Sequence, residues 1–150
     1  MVKLWVNLPA KDKMTPAQYQ AITRDEIPSV TLTGGTARVI AGALAGTRGP
    51  ARTFTPINLW DVRLDADVTL DLPAGHNALI AVLSGHVTIA GRSLGAAEVA
   101  RFSVEGTGAR VQADGSTTLL VLTGEPIDEP VVGYGPFVMN THDELSLIHI

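Results

Sequence analysis

From Val30 to Gly124 the chain is a succession of short apolar runs cut by turn residues, and this spacing constrains the fold more than any other feature. The runs are VTL, ARVIAG, INLWDVRL, VTLDL, NALIAVLSG, HVTIAG, AEVARFSV, ARVQA and TTLLVLTG, with Gly, Pro or Asp at most of the breaks. Runs of this length are too short for packed helices, and their even spacing predicts a sandwich or a closed barrel. Several alternate. Leu59, Asp61, Arg63 and Asp65 fall on one side of a strand and Trp60, Val62 and Leu64 on the other, as one wet face requires. Leu119 to Leu122 is continuously apolar and predicts a strand buried on both faces. Asp114-Gly115 predicts a hairpin turn between Val111 and Thr118, because this dipeptide tolerates positive φ. The predicted class is all-β.

The region before Val30 is different. Leu4, Trp5, Val6 and Leu8 predict a short strand closed by Pro9, with no hairpin partner close behind. Lys11 to Ile27 is polar with helical spacing. Thr15 as N-cap and Pro16 in the first turn predict one or two helical turns near the N-terminus, ending before Pro28. A chain of 150 residues suits one hydrophobic core, and 45% apolar with 17% charged residues excludes disorder. With 11 basic and 15 acidic residues and no basic cluster, nucleic acid is not an expected partner. The absence of cysteine removes disulfides, thiolate nucleophiles and Cys-type zinc sites. Lys3, Asn7 and Pro9 interrupt the first residues, so neither a signal peptide nor a membrane span is expected, and the expected location is cytoplasmic.

Five segments carry a resemblance: LWVNLPAKDKM with Tyr19-Gln20 following, RVIAG, TPINLWDVRL, LPAGHNALIAVLSGHVTIAG and GEPIDEPVVGYGPFVMNT. In this order they resemble the pirin family, over residues 4 to 144. The resemblance implies half of a bicupin, two β-barrel cupin (jelly-roll) domains face to face. Residues 1–29 would be the bridging strand and short helix, 30–124 the C-terminal cupin barrel, and 125–144 an extended C-terminal segment. The N-terminal cupin would be the missing partner of the first strand. Where the family continues into an amphipathic helix, this chain has LSLIHI. Those residues match the translation of CTGTCTCTTATACACATC, a transposon-end sequencing adapter, so residues 145–150 are expected to be adapter read-through.

The family's first cupin holds a divalent metal, usually iron, through three His and one Glu. Such a site needs a His-x-His pair on one strand and further ligands facing it. The four histidines here, His76, His86, His142 and His149, contain no such pair. PAGHNALIAVLSGHVTIAG resembles a degenerate cupin motif with vacant ligand positions, and the later strands add only Glu98 and Glu105. The expectation is therefore no catalytic, cofactor or metal residue in this chain, with the metal in the missing N-terminal cupin.

His76 and Asn77 are candidates for an interdomain cleft, set against the plainer reading of a loop histidine held by a nearby carbonyl. His86 is read as solvent-facing. Glu125, Asp128 and Glu129, set between Pro126 and Pro130, read as a rigid connector rather than paired acid/base carboxylates. Gly34-Gly35, Gly46 and Gly49-Pro50 lack the Lys-Ser/Thr and helix of a phosphate loop and read as turns. Trp60 is expected in the core. Trp5, Val6, Tyr134, Phe137 and Met139 are expected to form the interface with the missing cupin.

In function, the resemblance implies a non-catalytic C-terminal cupin domain of a metal-dependent, quercetin 2,3-dioxygenase-like protein. The alternative is a protein-binding or transcription-cofactor module with a protein partner and no essential enzymatic role. No membrane partner is expected.

Overall fold

The computed structural model describes residues 2–148. Its strands are β1 (Ser29–Leu32), β2 (Gly35–Ala41), β3 (Ala43–Leu44), β4 (Thr47–Arg48), β5 (Ile57–Leu64), β6 (Val68–Asp71) and β7 (Asn77–Ser84). There follow β8 (Val87–Ile89), β9 (Arg92–Leu94), β10 (Val99–Phe102), β11 (Gly108–Ala113), β12 (Thr117–Gly124), β13 (Val132–Tyr134) and β14 (Phe137–Met139), then one helix, α1 (His142–Ile148). The chain divides into two compact units. One is Gln20–Pro126, and the other joins the residues up to Tyr19 with those from Ile127 onward.

The larger unit is a two-sheet jelly roll. Six antiparallel strands run in the order β1-β2-β5-β12-β7-β10, and four in the order β6-β11-β8-β9. The alternation read from the sequence sets which side chains meet. Ala37, Val39, Trp60, Val62, Leu64, Ile80, Val82, Leu119 and Val121 from the larger sheet form one buried cluster with Val68, Leu70, Val87, Ile89 and Val111 from the smaller. Trp60 is 1% exposed, as expected, and its indole Nε1 finds no hydrogen-bond partner among the described residues. On the outer face of β5, Asp61 pairs in register with Arg38 of β2 and accepts hydrogen bonds from its Nε and Nη2. Leu119, Leu120 and Val121 are buried, so β12 is covered on both faces as the continuous apolar run predicts.

Three local expectations are corrected. Asp114-Gly115 does not close a hairpin. The strand before it, β11, pairs with β6 and β8, and the strand after it, β12, pairs with β5 and β7. The segment is a corner between sheets, held by Asp114 N and Thr117 Oγ1, which both donate to His86 O. The turn chemistry is right, with Gly115 at φ +95, but the turn serves a change of sheet.

The helix near the N-terminus is absent, and the one α-helix among the described residues lies near the C-terminus. Tyr19 is exposed and Ile22 is only partly covered, so the segment has no apolar stripe to bury. A short helix without tertiary packing is unstable. In its place stand two 3-10 turns, Ala10–Asp12 and Arg24–Glu26. The second is capped by Thr23, whose N and Oγ1 both donate to Glu26 Oε2. Leu4, Trp5, Val6 and Leu8 lie outside any strand, because no described segment offers them a ladder.

The compact unit that holds the barrel includes Gln20. The Gln20 carboxamide makes paired bonds to the Arg52 backbone, accepting from its N at 2.8 Å and donating to its O at 2.9 Å. At the other end, α1 takes in residues 145–148 of the expected adapter tail, with Leu145 buried, while His149 and Ile150 lie outside the described residues.

Gly85 makes the crossing from β7 to β8 possible. It sits at φ +82 between β7 and β8, and a Cβ there would lie 2.5 Å from Thr117 Oγ1 and 2.8 Å from Ser116 O. Replacing it by alanine adds backbone strain to a steric clash at both corners. Gly85→Ala should cost about 1–3 kcal/mol, read as a lowered midpoint in urea unfolding, whereas alanine at the open Gly91 turn should cost less.

Candidate functional site

One end of the barrel is where the inward-facing rows stop being apolar. Asn58 follows the parity of Trp60 and Val62, and Thr123 that of Leu119 and Val121, so two polar side chains continue core-facing rows at the rim. They are register partners on β5 and β12. Asn58 Oδ1 accepts from Ala43 N at 3.0 Å, and Asn58 Nδ2 donates to Thr123 Oγ1 at 2.8 Å. His76 Nδ1 lies 3.3 Å from the same hydroxyl. The threonine hydroxyl therefore stands between the Asn58 carboxamide and the His76 ring and links β5, β12 and the loop before β7. His76 is thus a half-buried loop histidine held by a hydroxyl, not by the carbonyl expected. Asn77 is exposed at the start of β7.

This row is hydrogen-bonding machinery and not a metal site. Among the described residues no group of three His, Cys, Asp or Glu side chains could hold a metal ion. The inward neighbours of Asn58 and Thr123 are Trp60, Val62, Leu119 and Val121, which offer a cation no donor and no solvation. The donor set does not fit a site of three His and one Glu. His86 is exposed, and Glu98 spends Oε2 on the Gly95 N–H at 2.6 Å. Glu105 is exposed.

The smaller unit has its own polar centre, which sequence reasoning missed. Glu129 Oε2 accepts from Ala10 N at 2.6 Å and from Asn140 Nδ2 at 3.0 Å, and Asn140 Nδ2 also donates to Pro130 O at 3.0 Å. The carboxylate read as part of an exposed connector therefore ties the first segment of the chain to the last. Of the five expected interface residues, Trp5 is 68% and Tyr134 65% exposed, while Val6 and Phe137 are also exposed. Met139 is 7% exposed, so this chain already covers it.

α1 begins with a reciprocal cap. Thr141 N donates to Glu144 Oε2 at 2.9 Å, Asn140 N donates to the same oxygen at 3.0 Å, and Glu144 N returns a bond to Thr141 Oγ1 at 3.3 Å. The backbone N–H of Thr141 is the main reason that Glu144 sits below its ordinary value of 4.5; it outweighs the opposing effect of desolvation, with lesser help from the Thr141 hydroxyl, the N–H of Asn140 and the charge of Lys13. A depressed carboxylate stabilises the fold above its unfolded pKa and loses that contribution as pH falls through the lower folded value. Helix α1 should therefore fray on acidification below pH 4.5. Glu144→Gln should remove most of that pH dependence in amide exchange of residues 142–147.

Comparison with known proteins agrees with this geometry. Residues 59–147 match the family described as the Pirin C-terminal cupin domain. The chain is 44% identical over 150 residues to a Pseudomonas aeruginosa protein named as a candidate quercetin 2,3-dioxygenase, covering 97% of this chain and 52% of that protein. It is 36% identical over 152 residues to human pirin, with 97% and 52% covered. The crystal structure of a quercetin 2,3-dioxygenase from Acinetobacter baumannii superposes with a TM-score of 0.92 at 45% identity, covering 97% of this chain and 52% of that one. The chain thus spans about half the length of the relatives it matches. Through its C-terminal cupin domain, this chain belongs to the pirin family.

Proposed function

We propose that this chain is the second, non-catalytic barrel of a two-cupin, quercetin 2,3-dioxygenase-like protein, whose divalent metal belongs to a first cupin outside these residues. One observation carries the reading. The barrel interior is lined by Trp60, Val62, Ile80, Val82, Leu119 and Val121, and the polar residues that continue its inward rows, Asn58 and Thr123, hydrogen-bond to one another and to His76. A barrel filled in this way supports a neighbour by its rigidity and has no place for oxygen chemistry of its own. Exposed Trp5, Val6, Tyr134 and Phe137 suit a surface that the first cupin would cover. The setting we expect is cytoplasmic; no helix among the described residues is long and apolar enough to cross a membrane.

Recovering the genomic sequence on both sides allows the test. The chain alone, loaded with Fe²⁺ and dialysed, should retain no stoichiometric iron and show no quercetin turnover. The two-barrel protein should retain iron, and His76→Ala should leave that content unchanged. Stoichiometric iron held by the chain alone would overturn the proposal. The same sequence tests the adapter reading of residues 145–150, since genomic codons for LSLIHI followed by a stop would refute it.

A further inference from the structure

The link from β3 to β5 bends around a cavity of about 720 Å³ at the Asn58 end of the barrel. Arg48, Arg52 and Phe54 line it with Pro50, Ile57 and Asn58, and no acidic residue takes part. Neither guanidinium has an ion-pair partner among the described residues, although acidic residues outnumber basic ones 15 to 11. Phe54 is 52% exposed and packs into no part of the buried cluster. Both arginines are exposed, and the cavity brings them and the exposed ring of Phe54 to one lining.

The loop that carries these groups is held in place before any ligand arrives. Gln20 clamps the Arg52 backbone from both sides. Gly49 N donates to Gly42 O at 2.9 Å and Ala51 N to Ile40 O at 3.0 Å, docking the loop along β2. Gly42 and Gly49 are required for that close approach, since a Cβ at either would meet backbone atoms under 2.7 Å away. Pro50 and Pro56 restrict the chain further. A loop ordered in this way has already met most of the conformational cost of binding.

We propose that this cavity is a binding site for a small organic anion with a planar apolar body, of the aromatic carboxylate class. The two guanidiniums take the carboxylate, through the planar fork that suits it, and the ring lies against Phe54. The volume is in the range of small-molecule sites, about 300–1,000 Å³. The site is independent of any metal in a first cupin.

The test is titration calorimetry of the full chain with three probes: benzoate, its neutral counterpart benzyl alcohol, and inorganic phosphate. Benzoate should bind roughly tenfold or more tightly than either of the others. The Arg48→Gln/Arg52→Gln double variant should weaken benzoate by a similar factor, and Phe54→Ala should weaken benzoate while leaving phosphate unchanged. Gln20 holds Arg52 by its backbone, so these side-chain changes leave the loop pinned, and an unaltered thermal midpoint checks this. Arg110→Gln, in the four-stranded sheet, should leave benzoate binding intact. The proposal fails if benzoate does not bind at millimolar concentration, or if benzyl alcohol or phosphate binds as well. It also fails if Arg110→Gln weakens binding as much as the double variant, which would reduce the effect to net charge.

Discussion

The fold depends on the register of β12 between β5 and β7. Val121 lies opposite Trp60 on one side and Ile80 on the other, and Leu119 lies opposite Val62 and Val82. Two complete rows of core side chains cross three strands this way. A slip of one residue would turn Leu119 and Val121 outward and bring Leu120 and Leu122 in, so the register is fixed by what must be buried. The irregularity between Thr118 and Leu119 on the β7 side belongs to the same constraint. It skips Leu83, which stays 40% exposed, and so keeps Val82 in the core row.

Much of this is legible in the sequence because strand periodicity is a local property. The nine apolar runs became strands, and the two-sided burial of Leu119 to Val121 follows from an uninterrupted apolar stretch. What was not legible depends on distant partners. Asp114-Gly115 has the chemistry of a hairpin, yet whether the flanking strands pair is decided by β6, β7 and β8, far away in the chain. Thr15-Pro16 has the chemistry of a helix start, but no neighbour supplies an apolar surface for that helix. Asn58 and Thr123 could have been found: each is polar at a core-facing parity, which is itself the signal. Glu129 could not, since its partners Ala10 and Asn140 come together only in the folded unit.

The contrast between interior and rim separates what this barrel is from what its fold can host. Jelly rolls of this kind can turn their inward positions to ligands, but here those positions are filled with Val, Ile, Leu and Trp. The polar remnant at the mouth is closed on itself, from Ala43 through Asn58 and Thr123 to His76. Chemistry on such a scaffold is left to the loops around the rim, where burial no longer dictates residue type.

The central claim is that Gln20–Pro126 is a complete barrel with its own core, independent of any other domain. Native-state hydrogen exchange on this chain tests it most directly. The account predicts that amides of β5, β7 and β12 are the last to exchange and do so together, while those of residues 2–9 exchange early. Fast exchange throughout those three strands, restored to protection only when a first cupin is supplied, would contradict it.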